Sequence, residues 1–270
     1  MKKDVLKPLG ASIPVIRHRV QAHLVDMLAI TGELIASRGR SFLFPRCPDR
    51  STVYDLAAAR LRKAGLVAIR RAGGKPPVLS LTDAGQAKVS DVIWPERFWK
   101  RTWDGRWFVL IYDVPEVQAR YRRSLQRFLR RMRMGCLQRS VWIAASDIRP
   151  LFDDLEAAAA VKDYAYLFEA QTVMGQSGIE LAQRAWRFDA LRAGHLKYLK
   201  ACEKRIHEAL PKGEVLAVMR DELLAYQLAM AEDPLLPRTL YPEDYLGPTV
   251  AQMFRSRILS LAPLLVGLSG

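Results

Sequence analysis

The first apolar pattern along the chain is helical. Between residues 15 and 36, apolar side chains recur every three or four residues and Gly39 marks the end of the region. A second helix is predicted from Asp49 to Gly65, with Ser and Asp caps, an Ala-rich interior and a terminal glycine. Two short apolar runs, LVAIRR and VLSLTDAG, flank the turn AGGKPP and predict a hairpin. Together these elements predict a winged helix-turn-helix over residues 1–90.

The middle of the chain alternates strands with helices. Trp107 to Tyr112 is a nearly continuous apolar run, as in a buried central strand. A helix follows it, and then CLQRSVWIAA predicts a strand, DIRPLFDDLEAAAA a helix and YAYLFEAQTVM a further strand. With a further strand allowed before the second helix, the order β-α-β-(β)-α-β is that of a ferredoxin-like sandwich. We expect this domain at residues 91–176, with the Trp-rich residues 91–105 as a packed linker.

From Gly178 onward the pattern is helical. One helix is predicted through Leu181, Trp186, Phe188, Leu191 and Leu199. Two more are predicted over residues 215–230 and 249–261. The fold class is therefore α+β, with an N-terminal winged helix-turn-helix, a central ferredoxin-like domain and a C-terminal helical domain at residues 177–270.

The charge of the chain is segregated. The net charge is +14, and residues 1–100 carry 18 Lys and Arg against 8 Asp and Glu, a net of +10. Residues 101–145 add +7, whereas residues 146–270 carry −3. Strong positive charge attracts polyanions such as nucleic acid. The first two domains are therefore the expected nucleic-acid-facing part.

Cysteine and histidine usage argues against a metal or cofactor. Cys47, Cys136 and Cys202 are widely separated, and the four histidines form no ligand spacing. The apolar stretch Leu261 to Leu268 is shorter than the ~20 residues that span a bilayer. We expect a cytoplasmic, nucleoid-associated protein with no cofactor, no metal and no membrane contact.

The helix after Asp49 is the candidate DNA reader, because a helix fits the major groove and its N-terminal side chains reach base edges. The winged helix could also serve protein contacts, but its net charge of +10 favours DNA. The predicted DNA-binding residues are Arg50, Ser51, Thr52, Tyr54, Asp55 and Arg62 on the helix, with Arg70, Arg71 and Lys75 on the wing for phosphates.

Three motifs stand out along the chain: ARLRKAGLV followed by LSLTDAG; Trp103-Asp104-Gly105-Arg106-Trp107; and Asp233-Pro234-Leu235-Leu236-Pro237 with Leu240, Pro242, Tyr245, Gly247 and Thr249. They resemble the motifs of the phenylacetate-degradation repressor family, the PaaX-like transcriptional regulators. The resemblance covers roughly residues 35 to 262. The resemblance implies a homodimeric, non-enzymatic repressor that binds a double-stranded DNA operator and is released by a small effector, an acyl-CoA or aryl-CoA thioester.

The helix of the middle domain carries seven arginines and no carboxylate between residues 120 and 133. These side chains could grip DNA phosphates, form a solvated face, or hold the phosphates of the implied effector. The candidate effector-binding residues are Arg120, Arg123, Arg127 and Arg130.

The middle domain also resembles the small nuclease-like subunit of CRISPR spacer acquisition. The resemblance rests on Tyr112-Asp113-Val114-Pro115 and Ser140-Val141-Trp142. It implies that Asp113 from two protomers could hold a divalent metal, so a metal-dependent nuclease is the alternative function. We favour a role for Asp113 as the N-cap of the helix that begins at Pro115, because aspartate is a preferred cap.

Overall fold

The computed structural model describes residues 13–35, 51–70, 77–114, 119–149, 165–171, 175–204 and 215–266. Its contacts divide the chain into two compact units. Unit 1 comprises residues 1–93, 206–227 and 253–270, and unit 2 comprises residues 94–205 and 228–252. The segment predicted as a C-terminal helical domain therefore contributes to both units, and the three predicted domain boundaries stay a prediction.

The first part of unit 1 contains two long helices and a small sheet. Its elements in this part of the chain are α1 (Ile13–Thr31), β1 (Glu33–Ile35), α2 (Ser51–Lys63), β2 (Val67–Arg70), β3 (Val78–Leu81), α3 (Asp83–Gln86) and a 3₁₀ turn (Asp91–Ile93). The three strands pair antiparallel in the order β1–β3–β2. The predicted helix before Gly65 and both predicted hairpin strands are present.

The first helix ends earlier than the periodicity predicted. α1 stops at Thr31, Gly32 adopts a φ of +73°, and Glu33–Ile35 form strand β1. Leu34 continues the helical spacing, but it lies opposite Leu79 in the sheet. The prediction for residues 32–35 was wrong because the left-handed glycine ends the helix and pairing with β3 satisfies the backbone that follows.

Thr82 fixes the end of β3 to the end of α2. Its Oγ1 accepts a hydrogen bond from the Gly85 amide at 3.1 Å and caps α3, and the same hydroxyl donates to the Gly65 carbonyl at 2.6 Å. The Thr82 amide also donates to the Leu66 carbonyl at 3.1 Å. The LSLTDAG motif is therefore a structural joint of unit 1.

Unit 2 contains a four-stranded antiparallel sheet in the order β5–β6–β4–β7. Its elements are α4 (Glu96–Trp99), β4 (Trp107–Tyr112), α5 (Ala119–Arg131), β5 (Gly135–Gln138), β6 (Val141–Ala144), β7 (Ala165–Ala170), α6 (Gly178–Ala185) and α7 (Phe188–Lys204). This strand order agrees with a ferredoxin-like sheet. Most of the helix predicted at residues 147–160 lies outside the described part.

Two predictions for unit 2 need correction. The run CLQRSVWIAA forms the hairpin strands β5 and β6 rather than one strand. The helix predicted through Leu181 and Leu199 is interrupted at Trp186, whose backbone is extended (φ −116°, ψ 146°). The Trp186 indole Nε1 donates to the Arg133 carbonyl at 3.1 Å, and this bond and the packing of the ring hold the break between α6 and α7.

The last helices are α8 (Val215–Ala229) and α9 (Gly247–Val266). The part of α8 up to Gln227 and the part of α9 from Met253 belong to unit 1. Tyr226 stacks on Phe254 with ring centroids 4.0 Å apart, and its hydroxyl donates to the Val92 carbonyl at 2.6 Å. These contacts bury apolar faces of both helices in unit 1.

A buried carboxylate, Asp26, links α1 to two distant parts of unit 1. It is 2 % exposed, and it accepts hydrogen bonds from the Ser90 amide at 2.8 Å and from Gln227 Nε2 at 2.6 Å. Burial raises the pKa of Asp26 from its ordinary value of 3.8 to about 6, although both hydrogen bonds oppose the shift. Folding therefore favours the protonated side chain.

This shift predicts a pH-dependent stability that Asp26→Asn should remove. Because the folded pKa lies above the unfolded one, the stabilisation is complete below about pH 3.8 and is lost as pH rises through about 6. We expect the free energy of unfolding of the variant, relative to the parent, to rise by about 2 kcal/mol between pH 4 and pH 7. Urea unfolding across this range measures the difference, and parallel pH profiles for the two proteins would contradict it.

Candidate nucleic-acid interface

Helix α2 has one buried face and one exposed basic end. Ala57 and Leu61, four residues apart, are each 4 % exposed and face the core of unit 1. The last turn carries three exposed cations, Arg60, Arg62 and Lys63. Cations at this end also complement the helix dipole, so they stabilise the helix whether or not they bind DNA.

The structure locates only part of the predicted DNA-binding set. Asp55 is half-buried, whereas Arg62 and Arg70 are exposed, Arg70 at the end of β2 opposite Val78. Ser51, Thr52 and Tyr54 lie in the first turn of α2, but their side chains are outside the described part, as are Arg50, Arg71 and Lys75 altogether. A role for any of these residues in DNA binding stays a prediction.

The arginines of α5 and the turn after it divide into two groups. Arg122 Nη2 donates to the Val114 carbonyl at 3.1 Å, and Arg133 donates to the Asp233 carbonyl. These two hold the fold of unit 2. The exposed arginines of the helix are Arg123, Arg127, Arg130 and Arg131, and the side chain of Arg120 lies outside the description.

Three of the four predicted effector-binding residues therefore form an exposed stripe. Arg123, Arg127 and Arg130 follow one another at helical spacing, and Arg130 also lies over the Trp142 ring at 5.9 Å. Their exposure suits contact with phosphates of either DNA or a small molecule, and the choice between the two stays open.

Asp113 follows β4 directly and is exposed. Residues 115–118 are outside the description, so its predicted capping of a helix at Pro115 stays a prediction. Among the described residues, no group of three or more His, Cys, Asp or Glu side chains could hold a metal ion. A DNA-cleavage assay tests whether the Asp113 side chains of two protomers together hold a metal ion.

The tryptophans between residues 94 and 107 are mostly packed. Trp99 and Trp107 are 6 % and 2 % exposed, and the Trp103 ring lies 5.1 Å from that of Trp107. Trp94, in contrast, is 41 % exposed. The predicted packing is confirmed for Trp99 and Trp107, since a base-stacking platform would need accessible ring faces.

Unit 2 also contains a buried polar cluster around Asp233, which was not among the sites predicted from the sequence. The Asp233 carboxylate accepts hydrogen bonds from the Tyr241 hydroxyl at 2.6 Å, from the Tyr245 hydroxyl and from the Leu235 amide at 2.9 Å. Burial, together with the Asp233 charge, raises the pKa of both tyrosines, so they remain protonated donors. These hydrogen bonds therefore fix the conformation of the loop at Asp233–Pro237.

His195 borders this cluster without joining its hydrogen bonds. Its Nε2 lies 3.9 Å from the nearer Asp233 oxygen, and neither ring nitrogen has a hydrogen-bond partner among the described residues. Burial lowers the pKa of His195, although Asp233 opposes the shift. The Asp233 charge is therefore stabilised chiefly by hydroxyl and amide donors. Only the spacing of Tyr241 and Tyr245 signalled this cluster in the sequence.

The fold and these surfaces define an α+β protein that combines a three-stranded sheet beside a basic helix in one unit with a ferredoxin-like sheet in the other. Residues 100–182 match the family described as the PaaX protein central Cas2-like domain. Over these residues the chain is similar to that central domain, so the resemblance predicted from Trp103–Trp107 is confirmed there.

A solved structure supports the fold. The uncharacterized protein Rv0674 from Mycobacterium tuberculosis is similar over 80 % of this chain and 83 % of its own, with a TM-score of 0.51 and 21 % sequence identity. No curated protein shows significant similarity to the chain. In the described part, no helix is both long and apolar enough to cross a bilayer.

Proposed function

We propose that the chain is a PaaX-like transcriptional regulator that binds a double-stranded DNA operator as a homodimer, acts as a repressor in the cytoplasm, and is released by a small anionic effector. The observation that carries the proposal is the exposed basic end of α2 beside the β1–β3–β2 sheet, in a chain with a PaaX-type central domain. The helix α2 followed by the antiparallel strands β2 and β3 supports a winged helix-turn-helix, in which the recognition helix precedes the wing.

The physical argument for DNA starts from charge. The net charge of +10 on residues 1–100 provides a sequence-independent attraction to phosphates. Side chains at the start of α2 would read base edges, and Arg62 and Arg70 would hold phosphates that fix the register. Two copies related by a twofold axis would read half-sites about one helical turn apart.

Effector release follows from the same geometry. A ligand that binds one dimer arrangement better than another shifts the population toward it. If the favoured arrangement no longer matches the half-site spacing, the operator is released. An acyl-CoA or aryl-CoA thioester is the effector that the family resemblance implies.

Arg62→Ala combined with Arg70→Ala should weaken operator binding about ten- to a hundredfold, because two charge-assisted phosphate contacts are lost. The operator is first enriched from a random duplex pool by binding to the protein, and gel shifts at several salt concentrations without Mg²⁺ then give affinity and salt slope. We expect the slope to fall by about 2. Sedimentation should give a mass twice 30.6 kDa.

The matched control is Lys197→Ala with Lys200→Ala, which removes two exposed positive charges from α7 and should leave operator affinity unchanged. The proposal fails if no duplex sequence is enriched, or if both double variants lose affinity equally. Degradation of DNA with Mg²⁺ or Mn²⁺ that is lost in Asp113→Ala, without sequence preference, would instead support the nuclease.

A further inference from the structure

Unit 2 contains a cavity at the break between α6 and α7. Its volume is about 600 Å³, which falls within the range of ~300–1,000 Å³ typical of small-molecule sites. One side is formed by the residues around Trp186 and the start of α7, and the other by Pro242, Asp244 and Tyr245. Every lining residue belongs to unit 2.

The aromatic walls of this cavity are fixed by contacts outside it. The Trp186 indole donates to the Arg133 carbonyl, and Phe188 packs on Tyr241 with ring centroids 5.5 Å apart. The Tyr245 hydroxyl donates to Asp233. A ligand with a planar apolar group would therefore meet ordered ring surfaces, and little entropy would be lost in arranging them.

The charged groups of the cavity leave one arginine unpaired. Arg192 pairs with Asp244 at 2.8 Å. Hydrogen bonds from Ser177 lower the pKa of Glu180, and the charge of Arg184 adds a smaller effect in the same direction. Asp189 also lines the cavity, from the first turn of α7. The Arg187 side chain has no hydrogen-bond or ion-pair partner within the described part of the chain. A planar guanidinium without a partner is a ready donor to carboxylate, sulfonate or phosphate oxygens.

We propose that this cavity binds a small organic anion that carries a planar apolar group, with the anionic group on Arg187 and the planar group against Trp186 and Phe188. The binding does not depend on DNA. That such a ligand is the effector rests on the function proposed above, and it would place the effector site here rather than on the arginines of α5.

The test uses a matched pair of fluorescent probes, 8-anilinonaphthalene-1-sulfonate and N-phenyl-1-naphthylamine, which share a ring system and differ in the sulfonate. In titrations of the full chain without DNA, Arg187→Ala should weaken binding of the sulfonate about tenfold, as expected for loss of one charge-assisted contact. The uncharged probe should bind both proteins equally. Lys200→Ala, which removes an exposed positive charge of α7 outside the cavity lining, should change neither affinity.

A second variant, Ala190→Trp, places a large side chain at an exposed position that lines the cavity, and it should abolish binding of both probes. Circular dichroism confirms that each variant is folded. Equal loss of both probes in Arg187→Ala would overturn the role of the charge. Unchanged binding of both probes in Ala190→Trp would show that they bind elsewhere, and would overturn the cavity as the site. Neither readout involves operator DNA, so failure here is distinguishable from failure of the proposed function.

Discussion

Asp233→Ala is expected to lower the free energy of unfolding of unit 2 by about 3–5 kcal/mol. Asp233 is fully buried, and its carboxylate accepts three hydrogen bonds, from Tyr241, Tyr245 and the Leu235 amide. Alanine would leave two buried hydroxyls and an N–H without an acceptor. Each unsatisfied buried donor costs about 1–3 kcal/mol, which accounts for the size of the effect.

The loop around Asp233 has further supports that the substitution would weaken. Arg133 donates to the Asp233 carbonyl, and Arg101 Nη2 donates to the Leu235 carbonyl at 3.0 Å. Leu235 holds a φ of +52°, a conformation that an L-residue adopts only where surrounding contacts fix it. We therefore expect loss of the carboxylate to release the loop as a whole.

Urea unfolding followed by far-UV circular dichroism measures the effect. Tyr241→Phe and Tyr245→Phe each remove one donor and keep the carboxylate, so each should cost about 1–2 kcal/mol. Glu232→Ala changes the neighbouring, exposed carboxylate and should stay within about 0.5 kcal/mol of the parent. The explanation fails if Asp233→Ala is no more destabilising than Glu232→Ala.

Local apolar patterns predicted strands β2, β3, β4 and β7, because each of these strands lies within the local pattern that predicts it. The run Trp107–Tyr112 is β4, and LVAIRR contains β2. The pairing of the strands could not be predicted from local patterns, because paired residues such as Trp107 and Ala170 lie far apart along the chain. The same limit explains β1: Leu34 fits a helical spacing, and only its pairing with β3 makes it part of a strand.

At the candidate sites too, features set by neighbouring residues could be predicted from the sequence, whereas those set by contacts between separate segments could not. Spacing identified the arginine-rich helix, but it could not separate Arg122 and Arg133 from their neighbours, because their partners are carbonyls of Val114 and Asp233. The cavity beside Arg187 exists because the chain breaks at Trp186. The side-chain periodicity continues through that break, so the sequence predicted one uninterrupted helix.

Gly85→Ala is expected to lower the free energy of unfolding of unit 1 by about 3–4 kcal/mol. A Cβ at this position would lie 2.0 Å from the Leu66 carbonyl oxygen and 3.0 Å from its carbon. Both obstacles are backbone atoms, so no side-chain rotation relieves the clash. The substitution would also move the Gly85 amide away from Thr82 Oγ1. Thr82 is the residue whose hydroxyl joins β3 to the end of α2.

The consequence for function follows from that joint. If α2 reads the operator, separating its end from β3 should abolish the sequence-specific gel shift while leaving the sheet of unit 2 intact. Gly194→Ala is the matched control, because a Cβ there meets nothing within 4 Å and alanine favours the interior of α7 by about 0.5–1 kcal/mol. Urea unfolding and gel shifts on both variants test these two expectations. A Gly85→Ala protein as stable as the parent would show that the backbone of unit 1 moves at Leu66 to relieve the clash. A folded variant that still binds the operator would show that DNA binding does not require the hydrogen bonds of Thr82 between β3 and the end of α2.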